Sequence, residues 1–149
     1  MKASTFFTKE QQAQILSSVE KAETATSGEI RVHIETTCSE DVLDRAAWIF
    51  RKLRMHKTAE RNGVMFYLAV NDRKFAIIGD LGINEKVPIN FWNEISELLK
   101  INFGKNRYME GLSDGILMAG NQLKIHFPYK NDDVNELSDE ISFDNIKEK

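Results

Sequence analysis

The chain has 149 residues, of which 42% are hydrophobic and 29% are charged. This length fits one domain with a buried core, and the composition is ordinary for a globular protein. The longest apolar run, Val64 to Val70, is far shorter than the roughly 20 residues of a transmembrane helix. Residues 1–10 lack the continuous apolar run of a signal peptide. A single cysteine excludes an internal disulfide and is typical of a reducing compartment, so we predict a cytoplasmic protein.

Charge is unevenly distributed along the chain. The formal net charge is −3, and residues 131–149 carry seven acidic side chains and two lysines, a net of −5, so residues 1–130 carry about +2. A nucleic-acid-binding domain is usually strongly basic, so we predict no nucleic-acid partner. We predict one domain over residues 1–130 and an acidic tail over residues 131–149 with little independent folding. This tail is expected to bind either the basic surface between Arg45 and Arg61 or a partner.

The first third of the chain predicts helix, strand and helix in turn. A capping box at Thr8 and Gln11 begins the first helix, which Ser27 and Gly28 end. Residues 29–36 alternate between polar and apolar side chains, which is typical of a strand. Ser39 is a suitable cap for the second helix.

Two apolar segments in the middle of the chain predict the centre of the fold. Val64–Val70 is apolar at every position, and a short polar turn separates it from a second apolar segment that ends at Gly79. Strands of this kind are buried on both faces, so helices must cover the sheet on two sides. Pro88 suits the first turn of a third helix, which Gly104 ends. A fourth helix has a regular apolar stripe and stops at Pro128.

These elements predict an α/β fold, an α-β-α sandwich around a mixed sheet. The first two strands are joined through a helix, so we expect them to be parallel with a right-handed crossover. The second and third strands are joined by a tight turn, so they form an antiparallel hairpin. Helices are expected on both faces of the sheet.

This topology brings polar residues together at one end of the strands. We call each of the two lines across the strand ends a polar edge of the sheet. Glu29 begins the first strand, Asn62 precedes the second, and Asp80 follows the third. Asn84 and Glu85 come shortly afterwards and are expected nearby. Oxygen ligands of this kind are those that Ca²⁺ or Mg²⁺ prefers, so the five residues predict a divalent-cation site. The alternative is that they only complete strand ends and turns.

Further polar positions lie elsewhere on the predicted sheet. Asp72 and Arg73 fall at the opposite edge, where they form either a polar hairpin turn or a functional pair. His33 shares a strand face with other ionisable residues, which predicts either a partner surface or a poorly covered sheet edge. The spacing of Cys38 and Arg45 does not fit a cysteine-phosphatase loop, and no serine-hydrolase or Walker motif is present. The sequence therefore identifies no nucleophile, and whether the protein is an enzyme stays open.

Five short motifs in order resemble the TPM domain family. They are Ser27–Val32, Asn62–Val64, Asp72–Arg73, Gly79-x-x-Gly82 and Arg107–Leu112, and the resemblance spans residues 8–127. The family includes a thylakoid-lumen acid phosphatase of photosystem II repair and an acetylcholine-receptor accessory protein. More narrowly, the chain is similar to a short cytoplasmic branch from Bacteroidetes-type bacteria, in which the TPM protein is commonly encoded beside a LemA-type membrane protein. Asp80 stands where many members have an aromatic residue.

The resemblance leaves two functional hypotheses. The first is a cytoplasmic interaction or accessory module that acts with a membrane-associated partner, by resemblance a LemA-type protein. The second is a metal-assisted phosphatase with weak acid phosphatase activity, which uses Ca²⁺ or Mg²⁺ near Asp80. The missing nucleophile favours the first hypothesis.

Overall fold

The computed structural model describes residues 2–129 and 140–144, and this part of the chain contains six α-helices and four strands. The elements are α1 (Ala3–Phe6), α2 (Lys9–Glu23), β1 (Glu29–Glu35), α3 (Val42–Lys52), β2 (Gly63–Ala69), β3 (Lys74–Gly79), α4 (Leu81–Asn84), α5 (Phe91–Gly104), α6 (Tyr108–His126) and β4 (Ser142–Phe143). A single 3₁₀ turn, Met55–Lys57, connects α3 to β2 within this part of the chain. Thr8 forms the predicted capping box of α2, and α5 ends at Gly104 as predicted.

The described strands form one mixed sheet in the order β3-β2-β1-β4. β1 and β2 are parallel, with Glu29 opposite Gly63, and β2 and β3 are antiparallel, with Val64 opposite Gly79. This arrangement confirms the predicted parallel pair and hairpin. β4 adds a parallel strand on the outer side of β1, where Ser142 lies opposite His33.

Alternating side chains of β2 serve two hydrophobic cores, because successive residues of a strand point to opposite faces. Val64, Phe66 and Leu68 pack with α1, α2, α5 and α6. Met65 and Tyr67 pack with α3 on the other face. Every residue of β2 is buried, which confirms both the predicted double burial and the helices on two sides of the sheet.

The sequence assigned the burial of β3 incorrectly. Phe75, Ile77 and Ile78 are only partly buried, and Ala76 is the one buried residue of this strand. The reason is position, since β3 is the edge strand of the sheet and lacks a neighbour on one side. An apolar strand pattern reports contact with the core, but it does not distinguish a central strand from an edge strand.

Several boundaries also differ from the prediction. The cap of α3 is Asp41, which accepts a hydrogen bond from the backbone N–H of Asp44, and not Ser39. Pro88 lies before α5, whose first residue is Phe91. The short helices α1 and α4 were not predicted, because four-residue helices have too little length for a periodic signal.

Part of the segment predicted to be a tail belongs to the sheet. Ile141 and Phe143 pack against the larger core, and the backbone N–H and hydroxyl of Thr36 donate to the carboxylate of Asp144. These residues therefore lie along β1 in the same chain, which was not expected of a tail that docks on the Arg45–Arg61 surface or on a partner. Residues 131–139 and 145–149 lie outside the described residues, and for them the predicted acidic tail stays a prediction.

Candidate functional site

The predicted cation-binding residues do lie at one edge of the sheet. The strand register places Glu29 beside Gly63 and Gly79 beside Val64. Asn62 precedes Gly63 and Asp80 follows Gly79, so Glu29, Asn62 and Asp80 lie at the same end of the three strands. Glu29, Asn62 and Asp80 are 4%, 1% and 7% exposed. Buried polar side chains need hydrogen-bond partners, and the partners they already have determine which groups stay available to a ligand.

Asp80 is held by a residue that the sequence did not indicate. Arg61 donates from Nε and Nη2 to the two oxygens of Asp80, at 2.6 and 2.7 Å. The backbone N–H of Leu81 also donates to Asp80 Oδ1, so this carboxylate caps α4. Arg61 adopts a left-handed backbone conformation, with φ of 53°. A basic side chain that neutralises the Asp80 carboxylate is therefore present within the chain.

The amide side chains at this edge differ in how fully they are bonded. Asn84 donates to the carbonyl of Gly79 and accepts from Trp92 Nε1, both at 2.8 Å. Asn62 Nδ2 donates to Ser27 Oγ at 3.2 Å, but its buried Oδ1 has no hydrogen-bond partner among the described residues. Asn62 Oδ1 is thus a buried acceptor without a donor in the described part of the chain.

The predicted five residues consequently do not form one ready set of ligands. Asp80 and Asn84 are already bonded within the chain, and Glu85 is exposed at the end of α4. Within residues 2–129 and 140–144, no group of three or more His, Cys, Asp and Glu side chains is placed to hold a metal ion. The divalent-cation site stays a prediction.

At the opposite edge, Asp72 and Arg73 do different things: Asp72 is bonded within the chain, and Arg73 is exposed. Asp72 Oδ2 accepts from the backbone N–H of Cys38 at 2.6 Å, while Lys74 Nζ donates to the carbonyl of Cys38 at 3.0 Å. These bonds tie the β2–β3 turn to the loop before α3. Arg73 is exposed and has a left-handed backbone conformation, with φ of 53°.

His33 is buried rather than exposed, so it is neither part of an open partner surface nor at an uncovered edge. It has no exposed surface, and its Nδ1 lies 2.7 Å from Ser142 Oγ on β4. Its Nε2 lies 3.4 Å from Glu35 Oε2. His33 is thus covered by β4, and Glu35 is covered by its own partners.

Glu35 is the centre of a buried polar network that the sequence did not reveal. Arg45 Nε and Nη2 donate to its two oxygens at 2.9 and 2.7 Å, and the Tyr67 hydroxyl donates to Oε1 at 2.5 Å. Burial alone raises the pKa of Glu35, but hydrogen bonds from Arg45 and Tyr67, together with the nearby imidazole of His33, outweigh burial and lower this pKa to about 2. Burial and the bond to Glu35 raise the pKa of Tyr67. The clue in the sequence was the acidic end of β1 followed by an arginine in the next helix.

An open polar cleft of about 500 Å³ lies beside this network. Its lining comprises Glu35, Thr36, Thr37, Cys38, Ser39, Glu40, Arg45 and Asp144. It is at the carboxyl ends of β1 and β4, the edge at which open α/β sheets commonly bind ligands. Cys38 is buried, and its thiol donates to the carbonyl of Glu40 at 3.4 Å. The cleft thus offers hydroxyls, backbone groups and the exposed Glu40 to a binding partner.

Comparison with known proteins assigns a family. The sequence pattern of the TPM domain matches residues 1–122. The NMR structure of the BA42 protein from the psychrophilic bacterium Bizionia argentinensis is 43% identical, covers 93% of this chain and 95% of its own, and has a TM-score of 0.85. No curated protein matches the chain.

Two more distant structures share the fold. The N-terminal domain of a P. gingivalis protein is 16% identical, with coverage of 86% of this chain and 85% of its own and a TM-score of 0.63. The N-terminal domain of the cg2496 protein from Corynebacterium glutamicum is 9% identical, with coverage of 79% and 74% and a TM-score of 0.63. Among the described helices, none has the length and apolar composition needed to cross a membrane. The family pattern and the 43% identical structure together show that this chain belongs to the TPM domain family.

Proposed function

We propose that this TPM domain is a cytoplasmic interaction module that acts with a membrane-associated partner, the LemA-type protein that the family resemblance implies. The observation that carries the proposal is that one buried carboxylate at each polar edge, Asp80 and Glu35, is paired with an arginine of the same domain. Arg61 binds Asp80 through two hydrogen bonds, and Arg45 binds Glu35 in the same way.

The chemistry of Glu35 and Tyr67 argues against a catalytic role for these two residues. A general base works best when its pKa lies near the working pH. The pKa of Glu35 is about 2, so this carboxylate does not take up a proton at neutral pH. Burial and hydrogen bonding raise the pKa of Tyr67, which keeps its hydroxyl protonated. Glu35 is therefore unsuited to act as a general base, and Tyr67 is unsuited to act as a nucleophile.

The cleft beside Glu35 is the surface that we propose for the partner. Thr37, Ser39 and Glu40 are exposed there, and Asp72 and Lys74 hold the backbone of their loop in place. A loop whose backbone is already held in place loses little conformational entropy when it binds a partner. Polar groups on this rigid loop favour recognition of a polar protein surface.

A binding titration with matched variants tests this proposal. The purified protein is titrated calorimetrically with the purified soluble domain of the LemA-type protein from the same genome. We expect saturable binding that Glu40→Lys weakens about tenfold or more, because rim charges set specificity and encounter rate. Glu97→Lys, on the exposed side of α5, is the control and should leave binding within about twofold. Absence of binding, or equal losses in both variants, would refute the proposal.

The buried acceptor of Asn62 favours a second function, a metal-assisted phosphatase. An unpaired buried acceptor costs about 1–3 kcal/mol, and a bound cation would satisfy it. Glu29, Asn62 and Asp80 would hold a Ca²⁺ or Mg²⁺ ion, with Arg61 released from Asp80. The ion would supply positive charge to polarise a phosphoryl oxygen. The oxygen-only chemistry of these side chains fits either ion.

Calorimetry with calcium and magnesium separates this function from the first. We expect that Asp80→Asn weakens uptake of the ion about tenfold or more, since it removes a charged ligand. Glu97→Gln, on the exposed side of α5, is the control for loss of an acidic group outside the predicted site. If the wild-type protein takes up neither ion at millimolar concentration, the cation site and the phosphatase are both excluded.

A further inference from the structure

A cavity of about 230 Å³ lies on the opposite side of the sheet from the Glu35 network. It is enclosed by the β2–β3 turn on one side and by the α5–α6 connection on the other. Leu68 and Val70 form its floor, and both pack with the core that α5 and α6 cover. The cavity is therefore separate from the Asp80 edge and from the cleft beside Glu35, and Arg73 of the β2–β3 turn lines it.

Aromatic rings form the walls of this cavity. Phe75 and Phe103 meet edge to face, with centroids 5.3 Å apart and an interplanar angle of 85°. Phe103 and Tyr108 are stacked, with centroids 5.0 Å apart and an angle of 28°. All three residues line the cavity, so a flat ring placed inside would meet aromatic surface. Such contacts add to the burial of apolar area when rings pack together.

Two cationic side chains also line the cavity. Arg73 and Lys100 are exposed, and neither forms an ion pair with a residue in 2–129 or 140–144. The nearest acidic residue in sequence, Asp72, accepts from the backbone N–H of Cys38. Lys74 donates to the backbone of the same loop, so it does not compete for a ligand here. The opening of the cavity consequently carries positive charge without an internal counter-ion among the described residues.

We propose that this cavity binds a small aromatic carboxylate. A cavity of about 150 Å³ is enough to hold benzene, so this one accommodates a single ring with a short acidic group. The ring would pack between Phe75, Phe103 and Tyr108. The carboxylate would lie at the opening, where the guanidinium of Arg73 offers paired donors and Lys100 offers a second charge. Apolar walls with a few convergent polar groups are the usual composition of a small-molecule site.

The ligand test uses three probes that separate ring from charge. Benzoate carries both, benzyl alcohol carries the ring alone, and acetate carries the charge alone. Each is titrated into the ¹⁵N-labelled protein, and amide shifts are followed over residues 68–75 and 100–108. We expect saturable shifts with benzoate at a dissociation constant of about 1 mM, in the range for ligands of this size. Benzyl alcohol and acetate should bind about fivefold more weakly or worse, because each lacks one of the two contacts.

A pair of arginine variants tests the role of charge. Arg73→Asn removes the guanidinium while keeping a residue that tolerates the left-handed backbone. Arg54→Asn is the matched control, since Arg54 is also exposed and has φ of 63° but lies at the 3₁₀ turn. We expect Arg73→Asn to weaken benzoate about fivefold or more and Arg54→Asn to change it less than twofold. Lys100→Gln gives a second variant in case Arg73→Asn does not fold.

Three results would overturn the proposal. The first is an absence of saturable shifts at residues 68–75 and 100–108 with benzoate. The second is binding of benzyl alcohol or acetate that equals the binding of benzoate. The third is an equal effect of the two arginine variants, together with no effect of Lys100→Gln.

Discussion

Replacing Glu35 by Gln should expose how strongly the buried network stabilises the fold. Glu35 has 3% of its surface exposed and accepts from Arg45 and Tyr67. Burial raises the pKa of its carboxyl group, whereas the hydrogen bonds of Arg45 and Tyr67 and the nearby His33 lower this pKa, with a net result of about 2. Glu35→Gln keeps the shape of the side chain and removes the charge that these donors face.

The magnitude follows from the difference between the folded and ordinary pKa values. The difference between 4.5 and about 2 corresponds to about 3 kcal/mol of folding free energy. Because the folded pKa is the lower one, this stabilisation is fully present above pH 4.5. It is lost as the pH falls through about 2, and about half remains at pH 3. Arg45 keeps 25% of its side chain exposed and can rehydrate, so we expect Glu35→Gln to cost about 2–3 kcal/mol at pH 7.

Urea unfolding followed by circular dichroism measures this cost. The free energies of unfolding of the wild type and Glu35→Gln are compared at pH 7 and at about pH 3, where the gap should fall to about half. Tyr67→Phe removes one donor to the same carboxylate and should cost about 1.5 kcal/mol at pH 7. Two results would contradict this prediction. One is a difference in the free energy of unfolding between wild type and Glu35→Gln below about 0.5 kcal/mol at pH 7, and the other is a difference that is the same at both pH values.

Two further substitutions test packing and the position of β4 by the same unfolding assay. A side-chain carbon at Gly82 would overlap the carbonyl oxygen of Glu60, so Gly82→Ala should destabilise the domain by about 1–3 kcal/mol. Gly104→Ala is its control, because a carbon there meets nothing within 4 Å, and it should be neutral or stabilising by up to about 1 kcal/mol. Asp144→Ala should cost about 1–3 kcal/mol, because the carboxylate accepts from the backbone and hydroxyl of Thr36. No loss of stability would show that residues 140–144 do not dock on β1 in solution.

The sequence by itself determined the central elements of this protein. The unbroken apolar run of β2 required cover on two faces, and the short turn before β3 required an antiparallel hairpin. These inferences succeeded because they depend on side-chain periodicity and loop length, which are local properties. The convergence of Glu29, Asn62 and Asp80 on one edge followed from the same topology.

Only the tertiary structure decided how the polar residues are paired. Arg61 reaches Asp80 across 19 positions, and Tyr67 reaches Glu35 across 32. Asp144 reaches Thr36 across 108 positions and brings β4 to the sheet. No local pattern encodes these contacts, because a charged side chain on a helix or strand has the same periodicity whether water or a buried partner faces it. Glu35 is buried between Tyr67 of β2 and Arg45 of α3, and this burial makes the pairing with Arg45 energetically necessary.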